Sequence, residues 1–324
     1  MKNRILELDF FKGIAILLVI CGHVILANLK DALDTHPVYT WIYSFHMPLF
    51  FFISGYLISY SSKNMGLKVV KKKSLTLLIP FFLWSFVLFP LFSGNNIYFS
   101  SEEFLNPNAQ YWFVYLLWLY SMIYYCCNMP KTIGVMGGVI GAFAICLGIA
   151  NHLYPCELFS RGVQFYPIYV FGVIANKLNL TEKSWIENSW LLTTAFLSFC
   201  VASLSYCRMD MALLNKIMKL LASFSICTLV LHYMRIKAIT QIGDNKIVSA
   251  LCYVGKNSIV IYLIHFLMVK VLPSPSLLLN EIPSFWIFVI SLLTSVVIAC
   301  ACLLLGKIAE RYIWVDRMVF GRGW

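Results

Sequence analysis

Charge is what this chain has least of. Only 12% of its 324 residues are Asp, Glu, Lys or Arg, about half the share of a soluble globular protein. Acidic residues are the scarcer sign, 14 against 25 Lys and Arg. Histidine is rarer still, at six copies. There is no internal repeat and no low-complexity tract, which excludes repeat arrays and long disordered linkers. The basic residues are scattered over short loops and termini instead of forming a stripe, which argues against nucleic-acid binding.

What fills the chain is hydrocarbon: 60% hydrophobic, 16% aromatic, mean hydropathy +0.80. A bilayer core takes about 20 apolar residues per helix. Segments 10–29, 41–60, 75–93, 111–127, 133–150, 163–178, 189–206, 217–234, 251–271 and 285–306 meet that pattern. The expected fold is all-α, a polytopic membrane protein with about ten transmembrane helices in a single domain over residues 1–324. The first segment follows Met1-Lys2-Asn3-Arg4 as a signal peptide would. Its length, its Lys12 and His23, and its lack of a small-residue cleavage site predict a retained helix.

Orientation follows from the cations. With the N-terminus inside, Lys63, Lys68, Lys71, Lys72, Lys73, Lys131, Lys177, Lys183, Arg235, Lys237, Lys246, Lys307 and Arg311 fall on the cytoplasmic face. Asp31, Asp34, Glu102, Glu103, Glu157, Asp210 and Glu281 fall outside. Both termini are therefore expected in the cytoplasm of a plasma (inner) membrane, and the net charge of +11 is largely an inner-face charge that favours anionic lipid. Eleven cysteines give neither a metal nor a disulfide framework, and no metal is expected. Cys126 and Cys127 are adjacent, which is not a zinc-ligand spacing. Cys156 and Cys207 both fall in outer loops, which leaves a bridge between them open.

Three histidines, His23, His46 and His265, lie inside apolar segments, where ionisable groups are costly and mark cavities or substrate paths. At ~1.5 Å per residue, His23 sits roughly 20 Å from the inner edge of the core, and His46 roughly 8 Å from the outer edge. His265 lies roughly 14–21 Å from the inner edge, depending on where its helix begins. All three thus occupy the middle or outer part of the bilayer. Imidazole titrates near ~6.5, which suits it to take a proton from a sugar hydroxyl. His36, His152 and His232 read as structural. Asp9 and Lys12 share a helix face and can pair. With Arg4, Lys12 and the run Lys71-Lys72-Lys73 make a cationic mouth for a polyanionic donor. Pro48 frees a backbone carbonyl in the second helix, and Ser54-Gly55 permits close helix approach. Ser54 has no base paired with it in sequence. Asn257 and Ser258, ahead of His265, are hydrogen-bond donors within the ninth segment.

These residues resemble a family. Arg4…Asp9-Phe10-Phe11-Lys12-Gly13…His23, Phe45-His46-Met47-Pro48-Leu49-Phe50-Phe51-Phe52-Ile53-Ser54-Gly55-Tyr56-Leu57 and Gly255-Lys256-Asn257-Ser258…Tyr262-Leu263-Ile264-His265 look like membrane-bound acyltransferase family 3. Tyr111-Trp112-Phe113 and Tyr166-Pro167…Gly172 agree more softly. The Phe-His-Met-Pro pattern is similar to the exopolysaccharide and fucose O-acetylase branch. The resemblance implies a ten-helix enzyme that moves an acetyl group from acetyl-CoA to a sugar hydroxyl of a surface or lipid-linked glycan. By position His23 would be the main catalytic residue, with His46 and His265 supporting the base or the acceptor. Arg4, Asp9 and Lys12 would shape the donor side. Arg161, Trp112, Asn257 and Ser258 are assigned to the acceptor. One departure stands out: relatives carry an arginine before the proline of the third helix, whereas Leu75-Thr76-Leu77-Leu78-Ile79-Pro80 has none. The extracytoplasmic domain that some relatives append is not expected here. The rival class is a transporter or flippase of glycan precursors, for which many helices and a Pro/Gly-interrupted span are generic support.

Overall fold

The computed structural model describes residues 5–28, 36–61, 67–93, 111–126, 133–154, 156–205, 212–237, 245–271 and 282–324. Among them the secondary structure is helical, without a strand. The helices are α1 (Leu6–Asn28), α2 (Pro37–Ser61), α3 (Leu67–Leu83), α4 (Phe89–Ser93), α5 (Trp112–Cys126), α6 (Ile133–Leu153) and α7 (Glu157–Lys177). They continue with α8 (Ser189–Ser205), α9 (Ala212–Arg235), α10 (Lys246–Lys256), α11 (Ser258–Val271), α12 (Ser284–Ala309) and α13 (Ile313–Phe320). The ten apolar segments read from the sequence are helical where described, apart from turns at Tyr111, Leu178 and Asn257. Among the described residues six helices are long and apolar enough to cross a membrane, and α10 with α11 make a seventh, broken span. Trp112–Tyr125, Gly137–Leu153 and Ser189–Ser205 are apolar but shorter, so the count of ten rests on these three as well.

The chain divides into two compact units, one of Met1–Ile53 and Leu178–Leu304, the other of Ser54–Lys177 and Leu305–Trp324. In the first unit α1 packs along α10 and against α11, and α8 packs along α9. Two glycines set the α1–α10 crossing. A Cβ on Gly255 would fall on the Asp9 carbonyl, and one on Gly13 would fall on the Leu251 carbonyl. Backbone therefore lies against backbone, the approach that small residues allow between membrane helices. Leu18, Cys21, Ile25, Ile42, Phe45 and Ile287 form an apolar core beside this crossing. Pro48 has no N–H to offer the Ser44 carbonyl, and Ser223 Oγ of α9 stands 3.5 Å from that oxygen.

The ninth segment is not one straight span. It bends by 82° between α10 and α11, and the motif Gly255-Lys256-Asn257-Ser258 is the corner. Asn257 closes α10 by donating from Nδ2 to Tyr253 O at 3.0 Å. Its own carbonyl opens α11, accepting from Val260 N at 3.0 Å and Ile261 N at 3.2 Å. α10 buries Gly255 against α1 and leaves Lys246 and Lys256 exposed.

In the second unit α3 packs on α5 and α13, and α7 packs on α5 and α6. Gly55 seats against the Tyr169 carbonyl of α7, and Tyr120 Oη donates to Gly162 O at 2.6 Å. After α3 a π-helical turn, Trp84–Leu88, passes the Phe89 N–H to Trp84 O just before Pro90, so the register shifts where proline interrupts the ladder. Pro80 likewise frees the Thr76 carbonyl, and Gly321, at φ +67°, lies directly against that oxygen. The C-terminal segment is fixed there by Trp84 Nε1 donating to Val319 O at 2.8 Å. Arg322 is clamped to Glu310 at 2.6 Å and to Asp316.

Candidate active site

The geometry starts with His265. Its Nδ1 lies 2.6 Å from Tyr262 O, one turn back on α11. A carbonyl can only accept, so Nδ1 carries the proton and Nε2 keeps the lone pair. That Nε2 is buried with no hydrogen-bond partner among the described residues. His46 repeats the arrangement on α2, with Nδ1 2.6 Å from Ile42 O, which again leaves Nε2 as the basic nitrogen. Both rings are enclosed, His265 at 2% and His46 at 3% exposure.

His23 differs. Its ring sits 5.2 Å from that of His265, centroid to centroid, and 5.4 Å from Phe266. Its Nδ1 is buried and unpartnered, while the residue as a whole keeps some accessible surface. Among the described residues no hydrogen bond fixes its tautomer. His46 lies within electrostatic range of His23. The Tyr43 ring is 4.8 Å from His46 and rests against Gly22, the residue before His23, where a Cβ would come within 2.9 Å of it. Three unrelated turns of chain therefore bring three imidazoles to one region of the first unit. Two have their proton positions set by backbone carbonyls, and the third is not held.

At the start of α1 the expected pair is present: Lys12 Nζ is 2.7 Å from Asp9 Oδ1, with Asp9 buried and Lys12 largely so. Glu7, also buried, has Oε1 without a hydrogen-bond partner among the described residues. Sequence pattern gave no reason to separate it from an interfacial glutamate. Arg4 lies outside the described residues. Lys71, Lys72 and Lys73 sit on α3 in the second unit, the first two exposed. Arg161 and Trp112 are together there: the guanidinium stands 4.9 Å over the indole, Phe165 stacks on the same indole at 5.3 Å, and Glu157 pairs with Arg161 at 2.5 Å. Asn257 is engaged as the α10–α11 corner, and Ser258 begins α11 beside it. Tyr43, Tyr262 and Phe266 surround the histidines; the sequence gave Tyr262 only as a motif residue and did not single out Tyr43 or Phe266. Their spacing of three residues before His46, three before His265 and one after it was the available signal.

Among the described residues no three His, Cys, Asp or Glu side chains are grouped to hold a metal ion. Cys156 is a free thiol, and Cys207 and Cys127 lie outside the described residues.

The Acyl_transf_3 profile, an acyltransferase domain, matches residues 5–304, a stretch that includes all three histidines. The chain is similar to nodulation protein NolL of Mesorhizobium japonicum (strain LMG 29417 / CECT 9101 / MAFF 303099), 30% identical over 186 residues, 53% of this chain and 48% of that protein. It is also similar to nodulation protein NolL of Sinorhizobium fredii (strain NBRC 101917 / NGR234), 40% identical over 87 residues, 26% of this chain and 24% of that protein. The matches thus span about half or less of these relatives' length.

Proposed function

The chain belongs to the Acyl_transf_3 acyltransferase family, and from that premise we propose that it is a membrane-embedded O-acetyltransferase. It takes the acetyl group of acetyl-CoA at the cytoplasmic face and places it on a sugar hydroxyl of a cell-surface or lipid-linked glycan. The observation that carries this reading is the His23–His265 pair, with rings 5.2 Å apart and with Nδ1 of one and Nε2 of the other buried and without a hydrogen-bond partner among the described residues. Buried nitrogens left without partners are costly, and a reacting hydroxyl supplies what they lack.

In the reaction the acceptor oxygen attacks the thioester carbonyl as His23 takes its proton. The tetrahedral intermediate collapses with loss of the C–S bond. The same proton then passes to the departing sulfur, so imidazole is base and then acid. His265, with its proton fixed toward Tyr262 O, presents a lone pair that steadies the imidazolium of His23. Asp9 and Lys12, together with Arg4, serve the donor's phosphates, the lysine as a point charge. In the second unit the Lys71, Lys72 and Lys73 run offers cations of the same kind. Ser258 and Asn257, just past the Gly255 that packs on Asp9, offer polar groups at the donor end of α1; in the second unit Arg161 and Trp112 offer a cation and an aromatic face.

The test is transfer of label from acetyl-CoA to the glycan fraction of membranes holding the full chain, against His23→Ala. We expect ester-linked label that the substitution removes. Transfer undiminished by the substitution sinks the role of His23. Movement of glycan precursor across the bilayer without any acyl transfer points to the transporter class instead.

A further inference from the structure

One feature of α2 has no part in that mechanism. His36, Tyr39, Tyr43 and His46 follow one another at spacings of three, four and three residues, within an arc of about 80° on one helix face. The rings are in sequence: Tyr39 to Tyr43 at 4.1 Å and Tyr43 to His46 at 4.8 Å. Accessibility falls along the row, from half-buried His36, Tyr39 and Tyr43 to enclosed His46. At its start both ring nitrogens of His36 lack hydrogen-bond partners among the described residues. At its far end Gly22 leaves room for Tyr43 beside the turn that carries His23.

We propose that this face is the track by which a polyhydroxylated acceptor reaches the histidine cluster. It would enter from the end where the chain passes from α1 to α2, opposite Asp9 and Lys12. The assignment rests on the acyltransferase reading. Phenol and imidazole each donate and accept hydrogen bonds, as a sugar hydroxyl does, so a row of them can hold successive hydroxyls without fixing a charge. Donor and acceptor then approach the same imidazoles from opposite ends of α1, and neither has to leave for the other to bind.

Membranes holding the full chain with His36→Cys, Tyr39→Cys or Tyr43→Cys are treated with 2-(trimethylammonium)ethyl methanethiosulfonate, which modifies hydrated thiols. Modification is read by mass on the peptide containing each position, with Ile42→Cys, a core position at 0% exposure, as reference. The track predicts labelling at all three positions at least tenfold faster than at Ile42→Cys. Rates no faster than the reference mean that the face is packed or lies in lipid, and the track is overturned. A second arm keeps the ring and removes one hydroxyl. Tyr43→Phe raises KM for added, detergent-solubilised glycan about two- to tenfold, the range of one hydrogen bond, with kcat and the acetyl-CoA KM unchanged. An unchanged glycan KM, or a loss confined to kcat, also overturns the track. Unlabelled positions in an active enzyme refute the track alone. Labelling of the variants together with a wild-type protein that transfers no acyl group refutes the acyltransferase reading and, with it, the acceptor.

Discussion

Replacing Gly255 by alanine adds one methyl group at the tightest point of the first unit. That methyl would fall on the Asp9 carbonyl oxygen and come within 2.7 Å of Gly13 N and 2.8 Å of Asp9 C. Ordinary contacts lie near 3.5–4.0 Å, and all three neighbours are backbone, so none can swing aside. α10 must retreat from α1 by roughly 1.5–2 Å to restore ordinary contact. Overpacking of this kind costs about 1–3 kcal/mol. The functional loss should be larger, because α1 carries His23 and α10 leads through Asn257 into α11 with His265. A misplacement of about 1 Å between reacting groups can cost on the order of 100-fold in rate. The matched control is Gly137→Ala, where an added Cβ meets nothing within 4 Å and helix propensity gains up to about 1 kcal/mol. Thermal unfolding of both variants in detergent gives the stability change, and acetyl transfer per folded molecule gives the rate. The reasoning fails if Gly255→Ala matches Gly137→Ala in both.

His265→Gln keeps a polar side chain but removes the basic Nε2, and transfer should fall about 10²–10⁴-fold with the acetyl-CoA KM little changed; a rate within threefold of wild type leaves His23 acting without it. Lys12→Met leaves the buried Asp9 carboxylate without the ammonium 2.7 Å away, which costs about 3–5 kcal/mol. The double change Asp9→Asn with Lys12→Met should restore the folded yield while the acetyl-CoA KM stays at least tenfold high, and full recovery of donor affinity would remove the pair from the donor site. Gly321→Ala must hold an L-residue at φ +67° against Thr76 O, so a loss of at least about 1–2 kcal/mol in thermal unfolding is expected; an unchanged midpoint would mean that the C-terminal segment is not docked on α3.

The apolar segments were legible because hydropathy registers any helix that must satisfy its own backbone in lipid. What hydropathy cannot register is direction. Residues 251–271 read as one continuous span, since Leu251–Val254 and Ile259–Leu267 are equally apolar on either side of Asn257. The corner depends on one asparagine capping two helices, which pattern alone does not separate from a polar residue within a helix. The Asp9–Lys12 pair followed from spacing, because both partners share one face. Convergence of His23 with His265 did not: helical rise gives depth but not azimuth, and the azimuth is set by Gly13 and Gly255, glycines that matter only through each other. Pro48 announced a free carbonyl, but its neighbour Ser223 is 179 residues from Ser44. His36 was read as structural because its position before α2 hides its alignment with Tyr39, Tyr43 and His46 until the helix is built.

The central claim is that an intramembrane histidine pair moves an acetyl group onto a sugar hydroxyl. The most direct measurement is the ester-linked acetate released by mild alkali from the surface glycan of cells expressing the wild type, His23→Ala or His265→Ala at matched protein levels in the membrane. The account predicts acetate above the empty-vector background for the wild type and background levels for both variants. Equal acetate in all three strains, or none above background in the wild type, would contradict it.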